Sequence, residues 1–331
     1  MLLKLFRGTS PGVIFLIVMT LGALWLGAFM EPQPQGLSLY ETKPMPLYDL
    51  LKSLFGAHQF AGVLFSFVLL SFLLFLLVNF NTVIFFISER TFLPATLYLL
   101  IISVFPEIQV LNPVLPATFF LMMAVFRIMD SYRKPGTAFN FFDAGFLIST
   151  GSLFYANMLW FGILVIAGIA LLRTGNIKEI LLSIVGLATP YILVTGIYYV
   201  AGFDLEVFLN DIIDNLFGLS PGYTFTRLTT IVLIYSGLII LISIGFLIMM
   251  MNSKKIKSRK TFYLLFWMFL ISLGLFLLLK SVSVEIVWIS GIPASYFLTH
   301  YFVFARKKIL PELIFSVLFL LVMLIQVFQI F

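Results

Sequence analysis

The sequence predicts an all-α bundle that crosses a membrane about eleven times. Of its 331 residues, 62% are hydrophobic and 10% charged, and the mean hydropathy is +1.14, so polar surface is too scarce to coat a water-soluble globule. Apolar runs of roughly 20 residues recur from one end to the other, each long enough to cross roughly 30 Å of hydrocarbon as a helix. "LISIGFLIMMM" and "FSVLFLLVMLI" are apolar on every face, which excludes the alternating strands of a β-barrel.

The first run, 11–30, opens with Ser10 and Pro11, an N-cap followed by proline at the first helical position. No A-x-A-like site follows it, so it reads as a retained anchor. A polar interruption comes next, "FMEPQPQGLSLYETKPMPLYDLL". Within and just after it, Leu47, Leu50, Leu51, Leu54 and Phe55 fall at helical spacing, with Asp49, Lys52 and Ser53 on another face. Spans are expected at 59–80, 91–106, 114–131, 139–156, 157–173 and 180–202. A second long loop, "FDLEVFLNDIIDNLFGLSPGY", sets Leu205, Phe208, Leu209, Ile212 and Leu216 against Asp204, Glu206, Asp211 and Asp214. Both amphipathic stretches read as helices lying in the outer interface, either the rim of a site or simple loop anchors. The last spans are 227–251, 261–280, 283–304 and 309–330. No soluble domain or repeat interrupts the chain, so 1–331 is one transmembrane domain with outer loops at about 31–58 and 203–226, the first and fourth.

Placing Lys4 and Arg7 in the cytoplasm fixes the side of every later loop. Sixteen of the twenty basic residues then fall in inner loops such as "NSKKIKSRK". Only Lys43, Lys52, Arg227 and Lys280 lie outside, where Glu31, Glu41, Asp49, Glu107, Asp204, Glu206, Asp211, Asp214 and Glu285 gather. The expected location is therefore a bacterial inner membrane, with the amino terminus cytoplasmic and the carboxy terminus periplasmic. The net charge of +6 sits in short loops that face anionic headgroups, so membrane lipids are expected partners and nucleic acid is not.

Several chemistries are excluded by residue type. There is no cysteine, and His58 and His300 stand at distant ends of different spans, so no metal centre is expected. An ion-coupled carrier needs ionisable groups near mid-bilayer, whereas Asp130, Asp143, Glu285 and Glu312 sit near span ends, close to water or headgroups. Pro190 is placed to kink its helix, but no matching segment carries a partner kink. His300 reads as a satisfied polar residue near the inner interface, and the 39 phenylalanines as packing or lipid-facing groups.

A short cytoplasmic start and one span lead to Glu31 in "FMEPQPQG", with an amphipathic helix behind it. Glu107 in "ISVFPEIQVLNPVLPATFFLMMAVFRI" stands near the next outer loop. "FDAGFLISTGSLFYANMLWFGILVIAGIALL" is a glycine-containing pair of spans, and "VWISGIPASYFLTHYF" a late span with a small-residue and proline break. This order resembles the polytopic C-type (GT-C) glycosyltransferases, or a bacterial multi-pass family that shares their fold. Here proline follows Glu31, and no Asp-Asp, Asp-Glu or Glu-x-Asp pair stands in the first loop.

The resemblance implies an enzyme that moves a sugar from a polyprenyl-phosphate-linked donor to an extracytoplasmic acceptor. Glu31 is then the expected general base, with Glu107 sharing that role or holding the acceptor. Lys52, Arg227 and Lys280 are the cations expected to neutralise the departing donor phosphate. Two other classes stay open: a non-catalytic scaffold packed on other membrane proteins of an envelope complex, and a carrier of a lipid-like or uncharged solute. A cavity separates them, because the enzyme needs an outer hollow open sideways to a lipid tail and the carrier needs a path to the other side.

Overall fold

The computed structural model describes residues 2–32, 43–55, 58–134, 136–173, 177–219, 223 and 225–330. Among these residues the chain is all-helical, with 15 α-helices and no strand. Glu41, one of the acids expected outside, lies beyond the described residues. In chain order the helices are α1 (Leu2–Phe6), α2 (Pro11–Leu24), α3 (Leu26–Met30), α4 (Pro46–Phe55), α5 (Gln59–Ile84), α6 (Leu93–Ile102), α7 (Val114–Asp130) and α8 (Phe139–Ser152). They continue with α9 (Gly162–Arg173), α10 (Ile177–Ala201), α11 (Leu205–Phe217), α12 (Arg227–Met250), α13 (Ile256–Leu278), α14 (Val287–Phe304) and α15 (Ile309–Ile330). Six helical stretches are long and apolar enough to cross a membrane: Gln59–Ile84, Ile177–Ala201, Arg227–Ser253, Ile256–Leu278, Val284–Phe304 and Ile309–Phe328.

Local sequence explains where the shorter elements start and stop. Ser10 is extended and Pro11 opens α2 as expected, although the Ser10 hydroxyl makes no capping bond. The apolar run expected at 11–30 breaks at Trp25, whose ψ of 3° divides it into α2 and α3. The run expected at 91–106 is a ten-residue helix, α6. Its length of about 15 Å is half a hydrocarbon core. Pro94 opens it, and Pro106 starts a 3-10 turn just beyond its end. Both amphipathic loop stretches are helical, as α4 and α11.

The bundle is built from the inside out around α14. Fifteen of its 18 residues are buried, and every residue of α6, its main partner, is buried as well. Tyr98 on α6 donates to the carbonyl of Trp288 at 2.8 Å, and Tyr296 on α14 donates to that of Leu77 at 2.7 Å. The Ser295 and Thr299 hydroxyls bond back to carbonyls of their own helix, so these two polar groups of α14 are met within it. By contrast, 17% of the α10 span is buried, which puts that helix on the periphery.

α8 and α10 form the tightest crossing. Gly145, Ser149 and Ser152 line the buried face of α8, and Ser183, Gly186 and Pro190 that of α10. A side chain at Gly186 would stand 2.2 Å from the carbonyl oxygen of Phe142, so only a bare backbone fits. Small residues let helices approach where the surrounding lipid is as apolar as the side chains and supplies no hydrophobic drive.

Polar contacts gather at two ends of the bundle. At one, Arg7 pairs with Glu89 at 2.9 Å and donates to the carbonyl of Val303 at 3.0 Å. Nearby, the Leu3 amide donates to Glu312 at 3.1 Å, and Asn81 caps the turn after α5 through the Ile87 amide. At the other end, Lys43 pairs with Asp211 and reaches Asp214 at 3.9 Å. Asn215 exchanges two hydrogen bonds with the Lys43 backbone, at 3.3 and 2.9 Å. Met45, Leu153 and Phe208 share a small apolar cluster there, which seats the end of the first long loop and α11 on the α8–α9 turn.

Candidate site beside Glu107

The segment between α6 and α7 is buried almost throughout, yet Glu107 at its apex is exposed. The turn is held from several sides. Asn112 donates to the carbonyls of Ile108 and Val110 at 3.1 Å and accepts from the Leu115 amide at 2.8 Å. Ser66 on α5 and Tyr48 on α4 donate to the carbonyls of Val110 and Leu111, each at 3.1 Å. Gln326 on α15 donates to that of Ser103 at 2.8 Å. Backbone away from helices is tolerated in such a place only when its polar groups are met from inside the protein.

Opposite the turn, Thr226 caps α12 by accepting the Thr229 amide at 3.2 Å, and Arg227 is the first helical residue. Glu107 and Arg227 line one hollow of about 550 Å³, with Ile325 and Phe328 of α15 on its far side. A second cavity of about 270 Å³ lies among α6, α12, α13 and α14, with walls that are almost wholly apolar. The linings of the two include neighbouring residues at 105–106 and 225–226, where three rings cluster. Phe105 stands edge-on to Tyr223 with centroids 5.6 Å apart, and Tyr223 to Phe225 at 5.0 Å. Phe105 and Phe225 face the apolar crevice, whereas Pro106 and Thr226, their chain neighbours, face the hollow. Burial raises the Tyr223 phenol above its ordinary range, and the negative charge of Glu107 adds to that shift.

The structure brings Glu107 and Arg227 together and leaves the other expected site residues apart. Glu31 is exposed at the end of α3, Lys52 is half-buried on α4, and Lys280 is exposed beyond α13, and none of the three lines the hollow. Two polar residues depart from their expected settings. Glu285 is fully buried instead of meeting water, and the α8–α9 turn reaches it through Tyr155. Tyr155 donates to its Oε1 at 3.0 Å, as does the Ser283 amide at 2.9 Å. His300 likewise lies among the rings of Phe246, Phe262 and Phe304, with neither nitrogen hydrogen-bonded among the described residues. Sequence reasoning missed Tyr223 as well, whose only signal was an aromatic residue just before a span. Among the described residues, no cluster of three or more His, Asp or Glu side chains is placed to hold a metal ion.

A family profile matches residues 45–331, which include Glu107, Tyr223 and Arg227. The chain belongs to DUF6427. That family is described as one of unknown function, and Glu31 precedes the matched residues. No curated protein and no solved structure matches this DUF6427 chain.

Proposed function

We propose that this DUF6427 chain is a GT-C-like glycosyltransferase of a bacterial inner membrane, moving a sugar from a polyprenyl-phosphate-linked donor to an extracytoplasmic acceptor. The observation that carries the proposal is the shared hollow of Glu107 and Arg227, with an apolar crevice beside the Phe105–Tyr223–Phe225 ring cluster. A lipid-linked sugar has the matching division, an apolar tail and a charged, hydroxylated head. In the proposed topology the eleven apolar segments all cross, with half-length α6 packed inside the bundle, and the amino terminus is cytoplasmic. The hollow then opens on the periplasmic side.

The chemistry follows from the two side chains. The acceptor hydroxyl oxygen attacks the anomeric carbon, the bond from that carbon to the phosphate oxygen breaks, and the electron pair leaves with polyprenyl phosphate. Glu107 takes the hydroxyl proton as general base. Arg227 pairs with the phosphate, whose charge grows as the bond breaks, and its planar fork suits two phosphate oxygens.

The test is sugar transfer by the full chain in nanodiscs, from a labelled polyprenyl-phosphate sugar. Glu107→Ala is expected to lower the rate by about 10²–10⁴, the usual contribution of a positioned base. Wild-type transfer by a folded Glu107→Ala, Arg227→Gln double variant would refute both roles. Glu31→Ala, Lys52→Gln and Lys280→Gln in the same assay decide whether those residues take part. The apolar crevice equally suits a carrier of a lipid-like solute. Movement of labelled lipid across the bilayer with no bond broken would favour that second activity.

A further inference from the structure

A second hollow, of about 670 Å³, opens at the opposite end of the bundle, between α1 and the start of α15. Its rim carries Lys4, Arg7 and Lys308 against the single carboxylate of Glu312, and its floor includes Phe302 and Pro311, both buried. Two of the four charged groups are committed to structure. Arg7 is held by Glu89 and by the carbonyl of Val303, and Glu312 accepts the Leu3 amide. Lys4 and Lys308 form no ion pair among the described residues and are exposed.

The short helix that bears Lys4 is firmly placed. Phe6 packs on Phe315 and Phe319 of α15 at 5.8 and 5.9 Å, and Thr91 donates to the Arg7 carbonyl at 2.8 Å. Lys4 and Lys308 are therefore presented by two anchored elements across one cavity. Exposed Arg306 and Lys307 extend the positive field beside it.

We propose that this hollow binds the phosphate headgroup of an anionic phospholipid, with part of an acyl chain on its apolar floor. The ligand chemistry is a phosphate next to hydrocarbon. A cation pair over an apolar floor between membrane helices fits that combination, whereas a free phosphate would leave the floor unused. The site is separate from the Glu107 hollow and does not depend on the reaction proposed there.

The test uses the full chain in a neutral detergent, with phosphatidylglycerol retention read by native mass spectrometry and folding by thermal unfolding. Each of Lys4→Gln and Lys308→Gln is expected to reduce retention roughly fivefold, and the pair more than tenfold. Lys308→Arg should keep it. Phosphatidylglycerol should raise the unfolding midpoint of the wild type and not of the double variant. Undiminished retention by the double variant overturns the proposal, as does an equal loss in Lys255→Gln, an exposed cation elsewhere on the same end. Displacement of the lipid by millimolar inorganic phosphate would show a free-anion site and also overturn it.

Discussion

Alanine at Gly186 tests the α8–α10 crossing most directly. The added methyl would lie 2.2 Å from the Phe142 carbonyl oxygen and 3.0 Å from its carbon, against 3.4 Å for ordinary contact. Both obstacles are backbone, so no side chain can swing aside. The helices must part locally by about 1 Å, and overpacking of that kind costs about 1–3 kcal/mol. Lipid supplies no hydrophobic pressure to close the gap again. Gly196 lies on the exposed face of the same helix, where an added methyl would meet no atom within 4 Å, and alanine there gains up to about 1 kcal/mol of helix propensity. Gly186→Ala gains the same propensity, so that contribution cancels and the two variants are expected to differ by about 1–3 kcal/mol, the overpacking alone. Thermal unfolding in detergent, followed by circular dichroism, measures that difference. Equal stability of Gly186→Ala and wild type, or equal destabilisation by both substitutions, would show that the crossing is not glycine-dependent.

Other contacts yield their own expectations. Asn215→Ala removes both side-chain bonds to the Lys43 backbone and should cost about 1–3 kcal/mol, visible as faster protease cleavage near residue 43 without loss of the bundle. Tyr155→Phe takes one donor from buried Glu285 and should lower the unfolding free energy by about 1–3 kcal/mol; an unchanged midpoint would mean the carboxylate is satisfied in another way. Tyr223→Phe should remove one phenol from the set that ionises above the ordinary value of 10.0, read by ultraviolet difference titration, and loss from the normally titrating set would contradict its burial. Because the folded phenol holds its proton more tightly than the unfolded one, it stabilises the fold below pH 10 relative to higher pH, and that stability falls as pH rises above this value.

Composition and periodicity made the helical, lipid-compatible class legible, because uninterrupted runs of Leu, Ile and Phe leave no other way to satisfy a backbone in hydrocarbon. The loop helices were legible for a related reason: Leu51 and Phe55, or Phe208 and Ile212, recur at the spacing of one helical face. The same faces do not show where they pack. On α11, Phe208, Ile212 and Leu216 turn inward while Leu209, Ile213 and Phe217 remain exposed, a split that only tertiary contacts decide. The site was half legible. Acid residues near outer loop starts singled out Glu107, but the hollow it shares with Arg227 joins positions 120 residues apart, and no local pattern encodes that. Glu285 was misplaced because nearness to a span end resembles nearness to water when the covering turn is invisible in one dimension.

The pairing of α6 with α14 also bears on how the chain is made. The hydrogen bond from Tyr98 to Trp288 spans 190 positions. At a synthesis rate of about 5–20 residues per second, the ribosome needs roughly 10–40 s to deliver the second partner after the first. Throughout that interval the earliest inner helix waits in the bilayer or the insertion machinery without its mate. A nascent chain stopped after α13 should therefore be conspicuous to quality-control proteases even though most of its apolar segments have already emerged.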